Sequence, residues 1–120
     1  MPFKAILALC AALLSGPAAA QEVLTGSGAV LRVLDKLTGL ATDVSLSFGE
    51  TATQGYLRIT LNDCRYPATN PSGEAYAAVT VYYRNLTAPI FEGWMLASSP
   101  ALNAVDHPRY DVWALRCMTS

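Results

Sequence analysis

The stretch YLRITLNDC, residues 56–64, alternates apolar and polar side chains. In an extended chain this alternation places Leu57, Ile59 and Leu61 on one face, as expected for a strand that covers a core on one side only. Residues 42–48 and 75–84 repeat the pattern. Their predicted inward-facing side chains are Val44, Leu46 and Phe48 in the first stretch, and Val79, Val81 and Tyr83 in the second.

Three further strands are predicted at residues 29–35, 90–96 and 110–117, where β-branched and aromatic residues concentrate. Glycine, proline and asparagine separate the six segments, as is typical of turns. Ser99 followed by Pro100 predicts one short helical turn with Ser99 as its N-cap. The sequence therefore predicts an all-β domain, a small antiparallel β-sandwich or barrel of about six strands.

The first 20 residues have the pattern of a cleavable secretory signal peptide. Lys4 precedes an apolar run over residues 5–14, the helix-breaking pair Gly16-Pro17 follows, and three alanines end the segment at Ala20. The run is shorter than the roughly 20 apolar residues of a transmembrane helix. We expect cleavage after Ala20, a flexible lead-in over residues 21–28 and a single domain over residues 29–120. The expected location is periplasmic or secreted, with no integral membrane segment after cleavage.

The charge of the mature chain argues against nucleic acid as a partner. Cleavage would remove Lys4 and leave 7 basic residues against 9 acidic ones, a formal charge of −2. Lys36 would be the one remaining lysine, and no basic run exists to neutralise a phosphate backbone.

Two cysteines, Cys64 and Cys117, would survive cleavage, and an even pair in an oxidising compartment predicts a disulfide. Two unpaired buried thiols are the alternative. In an unbroken strand Cys64 would face away from Leu57 and Leu61. Either a bulge near Asn62-Asp63 turns Cys64 inward, or the disulfide lies on an outer face or rim.

No set of residues has the pattern of a catalytic or metal site, and we expect neither an enzyme nor a cofactor. A hydrolase would have to combine Ser98 or Ser99 with His107 and Asp106 or Asp111, but no nucleophile elbow is present. One histidine and two oxidised cysteines leave only scattered carboxylates as metal donors. A glycosidase pair would have to be chosen from four scattered carboxylates, namely Glu50, Glu74, Glu92 and Asp111.

The densest unusual stretch is residues 93–110. It contains a candidate recognition surface of residue types favoured at interfaces, namely Trp94, Asp106, His107, Arg109 and Tyr110. Arg109 is the sharpest candidate because a guanidinium can bind a carboxylate through two parallel hydrogen bonds. In the alternative interpretation Trp94 and Trp113 belong to the core and Arg109 pairs with Asp106 or Asp111. We also predict that Trp113 is a core residue of the last strand, sharing its face with Leu115.

Four runs resemble one known family: GAVLRVLDKLTG (28–39), CRYP (64–67), GWMLASSPAL (93–102) and DHPRYDVWALRC (106–117). The family consists of small exported alphaproteobacterial proteins, catalogued as domain of unknown function 2155. The resemblance extends from Gly28 over the mature chain and departs mainly in the loop over residues 68–73. It implies a periplasmic location, pairing of Cys64 with Cys117, and genes that lie near accessory genes of respiratory complex I. It implies no activity.

Together these observations predict a non-catalytic binding or scaffold domain, an accessory component of an envelope or inner-membrane assembly whose partner is another envelope protein. A small-molecule or glycan-binding module with a pocket near Trp94 and Arg109 is the alternative, and a small hydrolase comes third. The shape of the region between Trp94 and Tyr110 distinguishes them. A flat patch favours a protein partner, a deep cleft a ligand, and convergence of His107 with a serine an enzyme. The sequence predicts no oligomeric state.

Overall fold

A computed structural model describes residues 22–119, which form nine strands and one short 3₁₀ helix. In chain order the strands are β1 (Val23–Thr25), β2 (Gly28–Asp35), β3 (Ala41–Ser47), β4 (Thr51–Gln54), β5 (Leu57–Pro67), β6 (Tyr76–Tyr83), β7 (Phe91–Leu96), β8 (Val105–Asp106) and β9 (Tyr110–Met118). The 3₁₀ helix, Pro100–Leu102, lies between β7 and β8.

The strands form two antiparallel sheets. The first sheet has the order β1-β5-β6-β7, with β4 also paired to β5, and the second has the order β3-β2-β9-β8. The prediction of an all-β fold is confirmed, and the two separate sheets make it a sandwich rather than a barrel. All six predicted strands are present. The three additional strands, β1, β4 and β8, have four residues or fewer and are too short for alternation to reveal.

The core lies between the two sheets and is built by the alternating residues. Leu57, Ile59 and Leu61 of β5 have no exposed surface. They face inward beside Val79 and Val81 of β6, against buried residues of β2 and β9. The predicted inward face of β3 is confirmed for Leu46, which is fully buried. Phe48 lies just beyond the end of β3 and is 43% exposed.

A disulfide joins Cys64 to Cys117 across the core, with 5.8 Å between the Cα atoms. The register of β5 against β6 shifts between Leu61 and Asp63, and this bulge turns Cys64 inward, where it is fully buried. The predicted pairing is confirmed, and the free-thiol alternative is wrong. Of the two alternatives for Cys64, the structure has the bulge and not the outer-face disulfide.

The prediction that Trp113 is a core residue is wrong. The pairing of β9 with β2 also shifts register, so that Leu115 is skipped between Ala114 and Arg116. Tyr110, Val112 and Ala114 therefore face inward together with Cys117, although Cys117 has the opposite sequence parity. Trp113 and Leu115 lie on the outer face, half-buried.

Two local expectations also need correction. Residues Val23–Thr25, within the predicted lead-in, pair with Arg65–Pro67, and Gly26 N–H donates to Cys64 O at 2.8 Å. The helical turn after Ser99 is confirmed, but the Ser99 side chain makes no capping hydrogen bond. The predicted signal peptide lies outside the described residues. Within residues 22–119, no helix is long and apolar enough to span a membrane.

Removing the disulfide should lower the free energy of unfolding. The two cysteines are 53 residues apart, so the chain-entropy model gives the bond about 4 kcal/mol. A Cys64→Ala/Cys117→Ala variant should unfold at a clearly lower urea concentration than the parent chain, followed by far-ultraviolet circular dichroism. Equal midpoints would contradict the prediction.

Core truncation should be costly at Leu61 and much less costly at Trp113. Leu61→Ala should destabilise the fold by about 2–5 kcal/mol because the side chain is fully buried. Trp113→Ala should cost less than Leu61→Ala, since Trp113 lies on the outer face. Urea denaturation of the two variants in parallel measures the loss in free energy of unfolding for each. A larger loss for Trp113→Ala than for Leu61→Ala would contradict the placement of Trp113 outside the core.

Candidate functional site

Four of the five predicted recognition residues, Asp106, His107, Arg109 and Tyr110, lie together at one end of the sandwich. They belong to the tight β8–β9 hairpin, in which His107 N–H donates to Tyr110 O at 2.9 Å. Pro108 lies within this turn. The hairpin therefore fixes the four side chains against the ends of other strands.

Trp94 does not join them. It lies on the outer face of the first sheet, 43% exposed, with the Arg65 guanidinium 5.9 Å from the centre of its ring. Trp94 pairs with Ala78 of β6, whereas His107 of the hairpin contacts β6 at Tyr83. Five residues of strand separate these positions, a distance of about 16 Å. In the part of the chain that the structure describes, Trp94 therefore lies too far from the β8–β9 hairpin to share with Arg109 the small pocket that a glycan-binding module was expected to use.

Tyr110 supports the site from the core instead of forming its surface. Its side chain is 2% exposed, and its hydroxyl accepts a hydrogen bond from Tyr56 N–H at 3.2 Å. Gly55, with φ of +60°, makes this approach possible, because a Cβ there would lie 2.5 Å from the Tyr110 Oη. The prediction of Tyr110 as a contact residue is therefore corrected, since the side chain is used to fix the β4–β5 turn.

Arg109 pairs with Asp35, not with Asp106 or Asp111 as the sequence suggested. Its Nη2 and Nε lie 3.0 and 3.3 Å from the two carboxylate oxygens, in a partly buried setting. The hydrogen bonds from Arg109 hold the pKa of Asp35 below its ordinary value. Asp106 and Asp111 instead pair with Lys36, whose Nζ lies 3.3 and 3.1 Å from them. The guanidinium of Arg109 is thus committed to a structural ion pair.

His107 is held as a structural side chain. Its Nδ1 accepts a hydrogen bond from Arg109 N–H at 3.0 Å, and its ring lies 4.3 Å from the ring of Tyr83. Ser98, considered above as its hydrolase partner, instead donates its hydroxyl to Glu74. The structure does not bring together the residues that the sequence offered for a hydrolase. Within residues 22–119 no group of three or more metal-ligand side chains is found.

The site also contains three residues that the sequence analysis did not select as site residues: Tyr56, Tyr83 and Arg84. Tyr56 is 48% exposed and meets Tyr83 edge to face, with ring centres 6.4 Å apart. The guanidinium carbons of Arg84 and Arg109 lie 4.5 and 5.2 Å from the centre of the Tyr56 ring. We call the resulting set the aromatic–arginine cluster, and its members are Tyr56, Tyr83, Arg84, His107, Arg109 and Tyr110.

Arg84 is the exposed cation of the cluster. Its backbone is left-handed, with φ of 53°, a conformation that non-glycine residues seldom adopt. Its N–H donates to Tyr56 O at 2.8 Å, and its Nε donates to the Tyr83 hydroxyl at 3.1 Å. Among the described side chains no carboxylate forms a salt bridge with it. Its remaining N–H groups are therefore available to an external acceptor.

Shallow clefts border the cluster on two sides. One, of about 280 Å³, is lined in part by Ile90, Phe91 and His107. The other, of about 120 Å³, opens between the sheets beside Leu40, Gly55 and Tyr110. An exposed guanidinium beside aromatic rings suits a carboxylate, which it can bind through two parallel hydrogen bonds.

The fold and site define a disulfide-linked β-sandwich with a surface aromatic–arginine cluster. The chain belongs to the family described as an uncharacterized protein conserved in bacteria (DUF2155), whose model matches residues 29–117. The predicted family resemblance is thereby confirmed. The chain is also similar to an uncharacterized protein of Rickettsia prowazekii (strain Madrid E), with 30% identity over 87 residues that cover 70% of this chain. The match covers 56% of that relative, so it spans just over half the relative's length. No solved structure matches the chain.

The ion pair between Asp35 and Arg109 should make stability depend on pH. Because the folded pKa of Asp35 lies below the value of 3.8 that it has as a free group, the pair stabilises the fold fully above that value. The stabilisation is lost as the pH falls below 3.8 and through the folded pKa. Asp35→Asn should thus lower the thermal midpoint at pH 7, and the difference from the parent should shrink at pH 3.

Asp106→Asn is the matched control, because it removes an exposed carboxylate from the same end of the sandwich. Its midpoint should lie closer to the parent value at pH 7 than that of Asp35→Asn. A difference between Asp35→Asn and the parent that stays constant from pH 7 to pH 3 would show that the lost charge is not the cause.

Proposed function

We propose that the mature chain is a periplasmic binding domain that serves as an accessory component of an envelope or inner-membrane assembly. It recognises a carboxylate-bearing segment of a partner protein through Tyr56 and Arg84. The observation that carries the proposal is the exposed guanidinium of Arg84, stacked 4.5 Å from the Tyr56 ring and without a carboxylate partner among the described residues.

Export is supported by two independent features. Residues 1–20 have the pattern of a cleavable secretory signal peptide. The disulfide between Cys64 and Cys117 is of the kind that persists in oxidising compartments such as the periplasm. The family resemblance points to the same location and to accessory proteins of a respiratory assembly.

The preorganisation of Arg84 supports a role in recognition. A free arginine side chain loses conformational entropy when it binds, and this loss opposes association. Here the guanidinium is already held over two rings, Tyr56 and Tyr83, and by one hydrogen bond to the Tyr83 hydroxyl. Much of the ordering cost is therefore met in the free domain. A left-handed backbone at Arg84 is the kind of local strain that clusters at binding sites.

A positioning role follows for Arg109. Its guanidinium is bound to Asp35 and also lies over Tyr56, so it helps to fix the ring that Arg84 contacts. Arg109→Ala should therefore disturb both stability and binding, which makes it a poor test of recognition. Arg84→Ala is the cleaner variant, because its side chain is exposed and forms no ion pair with the described residues.

The proposal predicts that a short aspartate- and glutamate-rich peptide binds at the cluster. Titration of the ¹⁵N-labelled mature domain should shift the amide resonances of Tyr56 and Arg84, and the shifts should weaken as salt is added. Arg84→Ala should weaken binding by at least about tenfold. Arg116→Ala, which removes an exposed arginine on β9, is the matched control and should leave binding unchanged.

The same three proteins should then be used as baits with detergent-solubilised envelopes. An envelope protein retained by the parent and by Arg116→Ala, and lost with Arg84→Ala, supports the proposal. Equal retention by all three baits would show that the cluster is not the recognition surface. If Arg116→Ala weakens peptide binding as much as Arg84→Ala does, the binding is nonspecific electrostatic attraction and the proposal is wrong.

A further inference from the structure

The outer strand β3 has an open edge. Asp35 N–H donates to Leu40 O at 2.9 Å, and this pair fixes which β3 residues bond to β2. Because hydrogen-bonded and non-bonded pairs alternate in an antiparallel ladder, the N–H and C=O groups of Ala41, Asp43 and Ser45 point away from β2. The same groups of Ser47 are used within the following turn, where they meet Glu50.

The other outer strands are shorter or partly covered. At β7 the side chain of Asn103 donates to Trp94 O at 2.6 Å, which covers the middle of that edge. β1, β4 and β8 have three, four and two residues. Of the strands formed by residues 22–119, β3 therefore offers the longest regular edge, and such an edge is a template for pairing with another strand.

Two exposed apolar residues flank this edge. Leu40, just before β3, is 68% exposed, and Phe48, just after it, is 43% exposed. Both share sequence parity with Val44, at the centre of the strand, so in an extended continuation of β3 they would lie on the same side as Val44. The edge is thus a short polar strand with one large apolar side chain at each end.

We propose that β3 pairs with β3 of a second copy of this chain, antiparallel and with Val44 opposite Val44 across a two-fold axis. This register places Asp43 of one copy opposite Ser45 of the other. It also places Leu40 opposite Phe48 at both ends, so each exposed apolar residue meets its complement. The paired second sheets become one continuous eight-stranded sheet.

This register fits better than its neighbours. A pairing centred on Asp43 would put two aspartates directly opposite each other, which is unfavourable. A pairing centred on Thr42 would leave Phe48 without an opposing apolar residue. The Ser47 backbone groups already bond to Glu50, so a pairing centred on Ser45 keeps only the single Ser45–Ser45 hydrogen-bonded pair. The proposed register keeps both Asp43–Ser45 pairs and loses only the outer pairs that involve Ser47. Self-complementarity of this kind is what a two-fold interface requires, and it favours a second copy over an unrelated extended segment.

The interface is small, so a concentration-dependent monomer–dimer equilibrium is expected instead of a permanent dimer. Sedimentation velocity of the mature domain over a wide concentration range measures it. Ser45→Lys would place a lysine opposite Asp43 twice per dimer and should strengthen association. Ser45→Asp would place like charges there and should weaken association. Each change is expected to be roughly 2- to 30-fold.

A disulfide test reports the register directly. In the proposed pairing the two Val44 residues form a non-hydrogen-bonded pair with Cα atoms about 4.5 Å apart, within the range for a disulfide. Val44→Cys should therefore form a covalent dimer on mild oxidation. Ser45→Cys, which faces Asp43 instead of its own copy, is the control and should crosslink far more slowly.

The outcomes are decisive in both directions. Reversible dimers with opposite effects of the two Ser45 charge variants support the pairing, as does selective crosslinking through position 44. A protein that remains monomeric at millimolar concentration, or dimers that respond equally to Ser45→Lys and Ser45→Asp, would overturn it. The Ser45 variants alter only an exposed side chain, so they keep the test valid even if Val44→Cys fails to fold.

Discussion

The bond between Cys64 and Cys117 fixes how the two sheets face each other. It joins β5 of the first sheet to β9 of the second, each of which pairs with neighbours on both sides. Both cysteines point inward because both strands carry a bulge, one after Leu61 and one at Leu115. Strict alternation would have turned Cys64 away from the core, so the link and the two irregularities in the sheets require each other.

The same two strands, β5 and β9, also position the residues at the opposite end of the sandwich. The first residue of β9, Tyr110, lies in the core and accepts a hydrogen bond from the backbone of Tyr56, immediately before β5. Tyr56 in turn receives the guanidinium groups of Arg84 and Arg109. A chain of contacts therefore runs from the buried core to an exposed cation. The groups proposed to meet a partner are held by packing and not by a flexible loop.

Much of the fold could be predicted because it depends on local pattern. Alternation in β3, β5 and β6 located the strands and their inner faces, and the parity of Cys64 left a bulge near Asn62 as one of two alternatives. The corresponding argument failed for Trp113, because the bulge at Leu115 reverses the parity between Ala114 and Cys117 and nothing local marks it. The site was harder still, because it joins turns that are distant in sequence. Asp35 meets Arg109 across 74 positions, and no periodicity could select Tyr56 or Arg84.

One consequence of the sheet geometry is optical. The two tryptophans lie on the outer faces of different sheets, Trp94 on the first and Trp113 on the second. Neither indole is in the core, so the emission of each reports the solvent and neighbours of its own sheet. Replacing one tryptophan by phenylalanine would leave a single fluorophore on a known face. Two such proteins would follow the two halves of the sandwich separately, in wavelength and in quenching, without any added label.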